Sequence, residues 1–138
     1  MTSGGHRHDH GHAHGTTVRE ERQPPQDDAV EVAPGIIRLQ LGISLPGLGH
    51  VNCYAIPDDR GITLVDPGLP GPSTFKDLKR RMAAADLPIE RVHTVVVTHS
   101  HPDHFGQAGN LRERHDARVV SHRTFRTVYL GAFASNIG

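Results

Sequence analysis

The apolar positions of this chain fall into short runs separated by turn-forming residues, and the period of each run predicts an element. Residues 36–41, Ile-Ile-Arg-Leu-Gln-Leu, read as a strand, followed by the irregular loop 45–49. Residues 51–56 and 62–65 read as two more strands, joined into a hairpin by the turn cluster Pro57-Asp58-Asp59-Arg60-Gly61. The period then lengthens. Phe75, Leu78 and Met82 recur at helical spacing, with Ser73 or Thr74 available as N-cap and Lys76, Lys79, Arg80 and Arg81 expected to face water. Pro88 ends that helix, and residues 92–98, with the run Val95-Val96-Val97, read as a strand buried on both faces. Residues 105–115 suit a helix, 118–120 a short strand, and a last helix is expected from near Arg123 towards Leu130. The order β-β-β-α-β-α-β-α predicts an α/β layered domain in which helices cover a mixed sheet.

Residues 1–33 lack such runs. They are rich in Gly, Pro, Gln and charge, bury too little apolar surface to offset ordering entropy, and read as a disordered arm ahead of a folded segment, 34–138. The chain of 138 residues has room for one domain. With 15 Lys+Arg against 15 Asp+Glu, no broad attraction to nucleic acid or anionic lipid is expected. The single cysteine, Cys53, excludes an internal disulfide and reads as a small buried hydrophobe. No apolar run approaches the roughly 20 residues of a membrane helix, and the first residues lack the apolar core of a secretory signal. A cytoplasmic protein without membrane contact is the expectation.

The 12 histidines carry the chemistry. Five of them, His6, His8, His10, His12 and His14, alternate within the arm, where they either gather Zn²⁺, Ni²⁺ or Cu²⁺ weakly or belong to a low-complexity leader. Three more fall in Thr98-His99-Ser100-His101-Pro102-Asp103-His104, where the apolar strand ends and a helix begins. Residues two apart in an extended chain point the same way, so His99 and His101 converge on one ion. Asp103 and His104 then sit in the first helical turn and are free to hold a second ion, and Pro102 suits that helix start. Imidazole and carboxylate without thiolate favour Zn²⁺, Fe²⁺ or Mn²⁺ over a Cys-rich structural zinc site. The C-terminal edge of such a strand is where open α/β sheets bind ligands.

His99-Ser-His101-Pro-Asp103-His104 resembles the His-x-His-x-Asp-His signature of the metallo-β-lactamase superfamily. Leu64-Val65-Asp66-Pro67-Gly68 is similar to the Asp-Gly turn preceding it there, and Gly49-His50-Val51-Asn52-Cys53-Tyr54 to its Asn-x-Tyr strand. In wording, residues 98–109 look closest to the glyoxalase II-like hydrolases. The resemblance implies the first half of an αββα sandwich with a two-zinc site, His99 and His101 serving one ion, Asp103 and His104 the other. It also implies a bridging hydroxide as nucleophile, a further proton-handling role for Asp103, and Asp66 orienting a ligand imidazole through its free N–H. A small-molecule ester or thioester is the implied substrate.

The family takes further ligands from later positions, namely a third His, a bridging Asp and a last His, and nothing after His104 matches them. His115 reads as a surface residue near a helix C-terminus, and His122 lacks the usual setting of the third ligand. His50 reads as a turn residue, His93 as structural, and Tyr54 as core or sheet surface. The expectation is therefore an incomplete hydrolase whose site is finished by a C-terminal half or by a second chain. Two other readings stay open: a phosphodiesterase of ribonuclease type on the same fold, and a non-catalytic metal-binding or interaction protein.

Overall fold

A computed structural model describes residues 18–126. Six strands form one sheet whose spatial order equals their order in the chain: β1 (Val30–Ala33), β2 (Ile36–Gly42), β3 (His50–Asp58), β4 (Gly61–Val65), β5 (Val92–Val96) and β6 (Arg118–Val120). The first four pair antiparallel, β1–β2 and β3–β4 through two-residue turns and β2–β3 through the loop 43–49. β4, β5 and β6 run parallel, so each link between them is a helical crossover. Helix α1 (Pro72–Ala84) makes the first, and the short α2 (Pro102–Phe105) and α3 (Ala108–His115) make the second.

The core forms where α1 and α3 lie on the sheet. Leu41, Cys53, Leu64, Leu78, Met82, Val95 and Leu111 are wholly inaccessible there. Strand side chains alternate between faces, and the alternation shows that only one face is covered. Leu64 and Val95 are buried, whereas Val65 and Val96 beside them are half-buried. The expected strand at 92–98 is thus interior by pairing but not buried on both faces, because no described helix lies on the Val65–Val96 side.

The chain departs from the sequence expectations at several points, each with a local cause. Val30–Ala33, assigned to the arm, is strand β1, whose pairing with β2 satisfies a backbone that its composition left unclaimed. Residues 1–17 of that arm lie outside the described residues. Helix α1 starts at Pro72 with Gly71 as N-cap and no side-chain cap, ahead of Ser73 and Thr74, since proline already supplies the φ of a first helical residue. Arg81 is buried rather than solvated: it lies three residues after Leu78, on the same helix face, and meets Asp77 Oδ2 at 3.0 Å, Asp27 Oδ1 at 3.5 Å and the Gln26 carbonyl. The helix expected at 105–115 breaks at Gly106-Gln107. There the backbone presses on the β4–α1 loop: Gly106 N–H donates to the Gly68 carbonyl at 2.8 Å, and a Cβ at Gly106 would collide with the main chain of residues 68–70. Residues 121–126 form no helix, and the rest of the helix expected there lies outside the described residues.

Candidate metal centre

Asp66 is the first residue after β4 and holds a left-handed φ of 56°, a conformation that aspartate tolerates better than most side chains. The turn aims its carboxylate sideways at the next parallel strand. Thr98 N–H donates to Oδ1 at 2.9 Å and the Thr98 hydroxyl to Oδ2 at 2.5 Å. The loop after β5 is thereby tied to the loop after β4. Gln107, fully buried, adds a second tie, its Nε2 donating to the Leu69 and Gly71 carbonyls at 2.6 and 2.8 Å.

Between these ties stand the histidines. His104, in α2, places Nδ1 3.0 Å from Asp66 Oδ2 and Nε2 3.3 Å from Asp103 Oδ2. The His99 ring lies 3.8 Å from that of His104, centre to centre, and 4.8 Å from that of His101. Thr98 Oγ1 is also 2.9 Å from His99 Nδ1. One ligand atom from each of Asp66, His99 and His104 falls within 4.8 Å of the others. Asp66 and Asp103 are buried, His104 is half-buried, and His99 and His101 are exposed.

The electrostatics follow from this packing. Burial pushes the Asp66 carboxyl up, but the His104 hydrogen bond and then the two from Thr98 outweigh it, so the acid is held below its ordinary range. Burial pushes His104 down, while the Asp66 hydrogen bond and the charges of Asp103 and Asp66 lift it to a net rise. His99 is lowered, first by burial and then by the neighbouring His104 and His101. His104, set between two carboxylates, is thus shifted towards its protonated form, beside a histidine shifted towards its neutral, ligating form.

The donor set suits a cation. Nitrogen and oxygen ligands bind Zn²⁺ at about 2.0–2.2 Å, which sets ligand atoms on a tetrahedral ion roughly 3.4 Å apart. The Asp103–His104 pair, at 3.3 Å, already has that separation. The Asp66–His99–His104 group brings one ligand atom from each residue within 4.8 Å of the others, a wider spacing.

A family profile described as the metallo-beta-lactamase superfamily matches residues 46–136. The chain belongs to this superfamily. A metallo-beta-lactamase family protein from Thermus thermophilus superposes with a TM-score of 0.64 at 32% identity, over 76% of this chain and 36% of that one. A beta-lactamase domain protein from Burkholderia ambifaria does so with a TM-score of 0.56 at 30% identity, over 74% and 33%. Among curated proteins, the uncharacterized protein YobT of Bacillus subtilis (strain 168) is 30% identical over 80 residues, which is 56% of this chain and 32% of YobT. The chain thus spans about a third of the length of the relatives it matches. The six-stranded mixed sheet with its helices is the expected α/β fold, present as a partial metallo-β-lactamase domain.

All four residues read as ligands, His99, His101, Asp103 and His104, lie at the one sheet edge with Asp66. The tightest grouping differs from the expected pairs, since it joins His99 and His104 to Asp66, while His101 stands further out. Thr98 had no assigned role, and its signal was its place between the strand and His99. His50 is buried at the start of β3 and bonds the Gln23 carbonyl through Nδ1 at 2.8 Å, so it is not a free turn residue. His93 bridges Thr94 and Asp58, Cys53 is a buried thiol raised by desolvation, and Tyr54 is a half-buried sheet residue. His115 stacks on Phe75 with ring centres 6.5 Å apart, and the exposed His122 bonds Thr124. Neither belongs to the cluster. No helix among the described residues is long and apolar enough to cross a membrane.

Proposed function

We propose that this chain carries the first ligands of a two-zinc centre in a metal-dependent hydrolase that cleaves an ester or thioester of a small molecule. The observation that carries this reading is the convergence of Asp66, His99 and His104 within 4.8 Å at the C-terminal edge of parallel strands, in a chain of this superfamily. His99 and His101 would hold one ion, Asp103 and His104 the other. Bound there, divalent cations supply Lewis acidity and make a coordinated water acidic enough to serve as nucleophile near neutral pH.

The chain's own residues prepare that chemistry. Asp66 accepts from His104 Nδ1, which fixes the ring and leaves Nε2 and Asp103 Oδ2 as a ready pair of donors. His104 and Asp103 would hold the ion there, and a proton on the ring would compete with it. Asp103, buried beside this edge, is placed to accept a proton from an attacking water. Thr98 keeps Asp66 and His99 in register across the two loops.

The half-buried face bearing Tyr54, Val65 and Val96 suits cover by a second sheet, either a C-terminal half or another chain, which would bring the remaining ligands. The test is a Zn²⁺ titration of the chain with the five arm histidines replaced by Ser, beside the same protein with His99→Ala and His104→Ala, followed by thioester and phosphodiester turnover. Zinc binding lost with the two histidines is expected, with zinc-dependent thioester cleavage once a C-terminal half or a second chain supplies the remaining ligands. In the completed protein a faster phosphodiester reaction would favour the nuclease reading and binding without turnover the non-catalytic one, and equal zinc binding by the chain and its double-Ala variant would overturn the metal centre.

A further inference from the structure

On the helical side of the sheet, beside the loops that carry the ligands, lies an open cleft of about 360 Å³. Pro70 and Pro72 of the β4–α1 loop, Phe75 of α1 and Phe105 of α2 line it, together with the backbone of Gly106 and Gly109. Both aromatic walls are held by neighbours. Phe105 meets Phe125 edge to face with ring centres 6.1 Å apart. Phe75 stacks on His115 at 6.5 Å, and the Arg114 guanidinium lies over its ring, 4.8 Å from the centre. A cleft whose walls are already fixed loses little ordering entropy when it is filled.

The polar lining accepts more than it donates. Pro70 and Pro72 have no N–H. Asn110 uses Nδ2 on Gln107 Oε1 at 2.9 Å, which leaves its Oδ1 without a partner among the described residues. The Glu113 carboxylate is exposed at the rim, while the cation of the lining, Arg114, rests on Phe75. Flat apolar walls beside free acceptors suit a planar aromatic ring that carries an N–H or O–H donor. An apolar cavity of about 150 Å³ already holds benzene, so this cleft has room for a fused pair of rings.

The position of the cleft links it to the sheet edge. One wall belongs to the loop that begins at Asp66, the other to α2, where Phe105 directly follows His104. Gly106 N–H ties the two at the Gly68 carbonyl, and Gln107 ties them again at the Leu69 and Gly71 carbonyls. A ring seated here braces the same pair of segments that an ion would join through Asp66 and His104.

We infer that this cleft is a regulatory ligand site, which takes a small planar aromatic bearing an N–H or O–H donor and whose occupancy strengthens zinc binding at the neighbouring edge. Because both ligands brace one pair of segments, each raises the other's affinity by the same factor. The coupling rests on the metal centre proposed above, and the ligand site stands apart from it.

The experiment uses indole, with benzothiophene as a ring of the same shape that lacks the N–H. Amide NMR of the zinc-free chain should show shifts at Gly106, Gly109 and Asn110 that saturate with a roughly millimolar Kd. Gly109→Leu fills the cleft and should abolish binding of both rings, with its urea midpoint reporting that the fold stands. Asn110→Ala should weaken indole about fivefold and leave benzothiophene unchanged. With the arm histidines changed to Ser, saturating indole should tighten zinc binding at the edge about fivefold, a gain that Gly109→Leu lacks. Absent shifts at these residues, or equal indole binding by folded Gly109→Leu, overturn the site. Equal weakening of both rings by Asn110→Ala overturns the donor requirement. Indole that binds without changing zinc affinity overturns the regulation and leaves the metal centre standing. Indole binding beside an edge that takes no zinc overturns the metal centre and the coupling with it, and leaves the ligand site.

Discussion

Asp66→Asn tests how the two loops of the centre are held together. The amide keeps the size of the carboxylate and remains tolerable at a φ of 56°, so backbone strain changes little. Its single oxygen can still accept from Thr98 N–H, but the nitrogen replacing Oδ2 cannot accept from the Thr98 hydroxyl or from His104 Nδ1, at 2.5 and 3.0 Å. Two bonds to a charged acceptor are lost, each worth about 1.5–3 kcal/mol. Because they share one oxygen and the site is partly open, a combined loss of about 2 kcal/mol is expected, which lowers a urea midpoint by roughly 1 M at an m-value near 2 kcal/mol/M.

The pH profile has a definite sign. Asp66 is lowered in the folded state, so its contribution is present above the unfolded carboxyl value and is lost as pH falls through the folded one. His104 is raised, so its contribution is fully present below the unfolded imidazole value, about 6.5, and is lost as pH rises through the folded one. Without zinc, stability contributed by this pair is therefore greatest between those limits and declines on the alkaline side. In Asp66→Asn the alkaline decline should flatten and the His104 ring should titrate lower by NMR. An unchanged His104 titration with an unchanged midpoint refutes the claim that Asp66 holds this ring.

Further outcomes follow from the same contacts. Zinc affinity of the edge should weaken as pH drops through the raised His104 value, because ion and proton compete for that ring, and calorimetric titrations across pH 5.5–8 check it. Gly106→Ala puts a methyl group into the main chain of residues 68–70 and should cost about 1–3 kcal/mol by urea denaturation. Arg81→Ala removes the clasp on Asp77, Asp27 and the Gln26 carbonyl and should cost about 2 kcal/mol or more. Hydrogen exchange should show the loss of protection starting around residue 26.

The cluster His99–His104 was legible because its members are adjacent in the chain, and the turn after an apolar strand told where they would stand. Asp66 was legible for a similar reason, as an acid closing the neighbouring strand. Thr98 was not, because its hydroxyl gains meaning only from an acid 32 residues earlier. His50 was missed because its partner is a backbone carbonyl 27 residues away, and a carbonyl leaves no trace in a sequence pattern. Arg81 shows a different failure. Its spacing from Leu78 already put it on the buried face, but charge was weighed above period, and the acceptors that make burial tolerable come from residues 26 and 27, inside the stretch read as an arm. The same stretch hid β1, whose few apolar residues form a strand only because β2 lies open beside them.

The sheet order β1 to β6, identical to the order in the chain, bears on how the molecule is made. Every strand docks on the one synthesised just before it, so no strand waits for a distant partner and the sheet can grow at a single advancing edge as the chain emerges. The β1–β4 meander is joined by two tight turns and one seven-residue loop, so its contacts are the most local of the sheet. β5 follows once α1 has been made, and the loop carrying His99 to His104 settles against Asp66 after that. A ribosome-bound chain therefore acquires its stable layers before its ion-binding chemistry, and zinc meets the ligand cluster only when the surface that supports it is already in place.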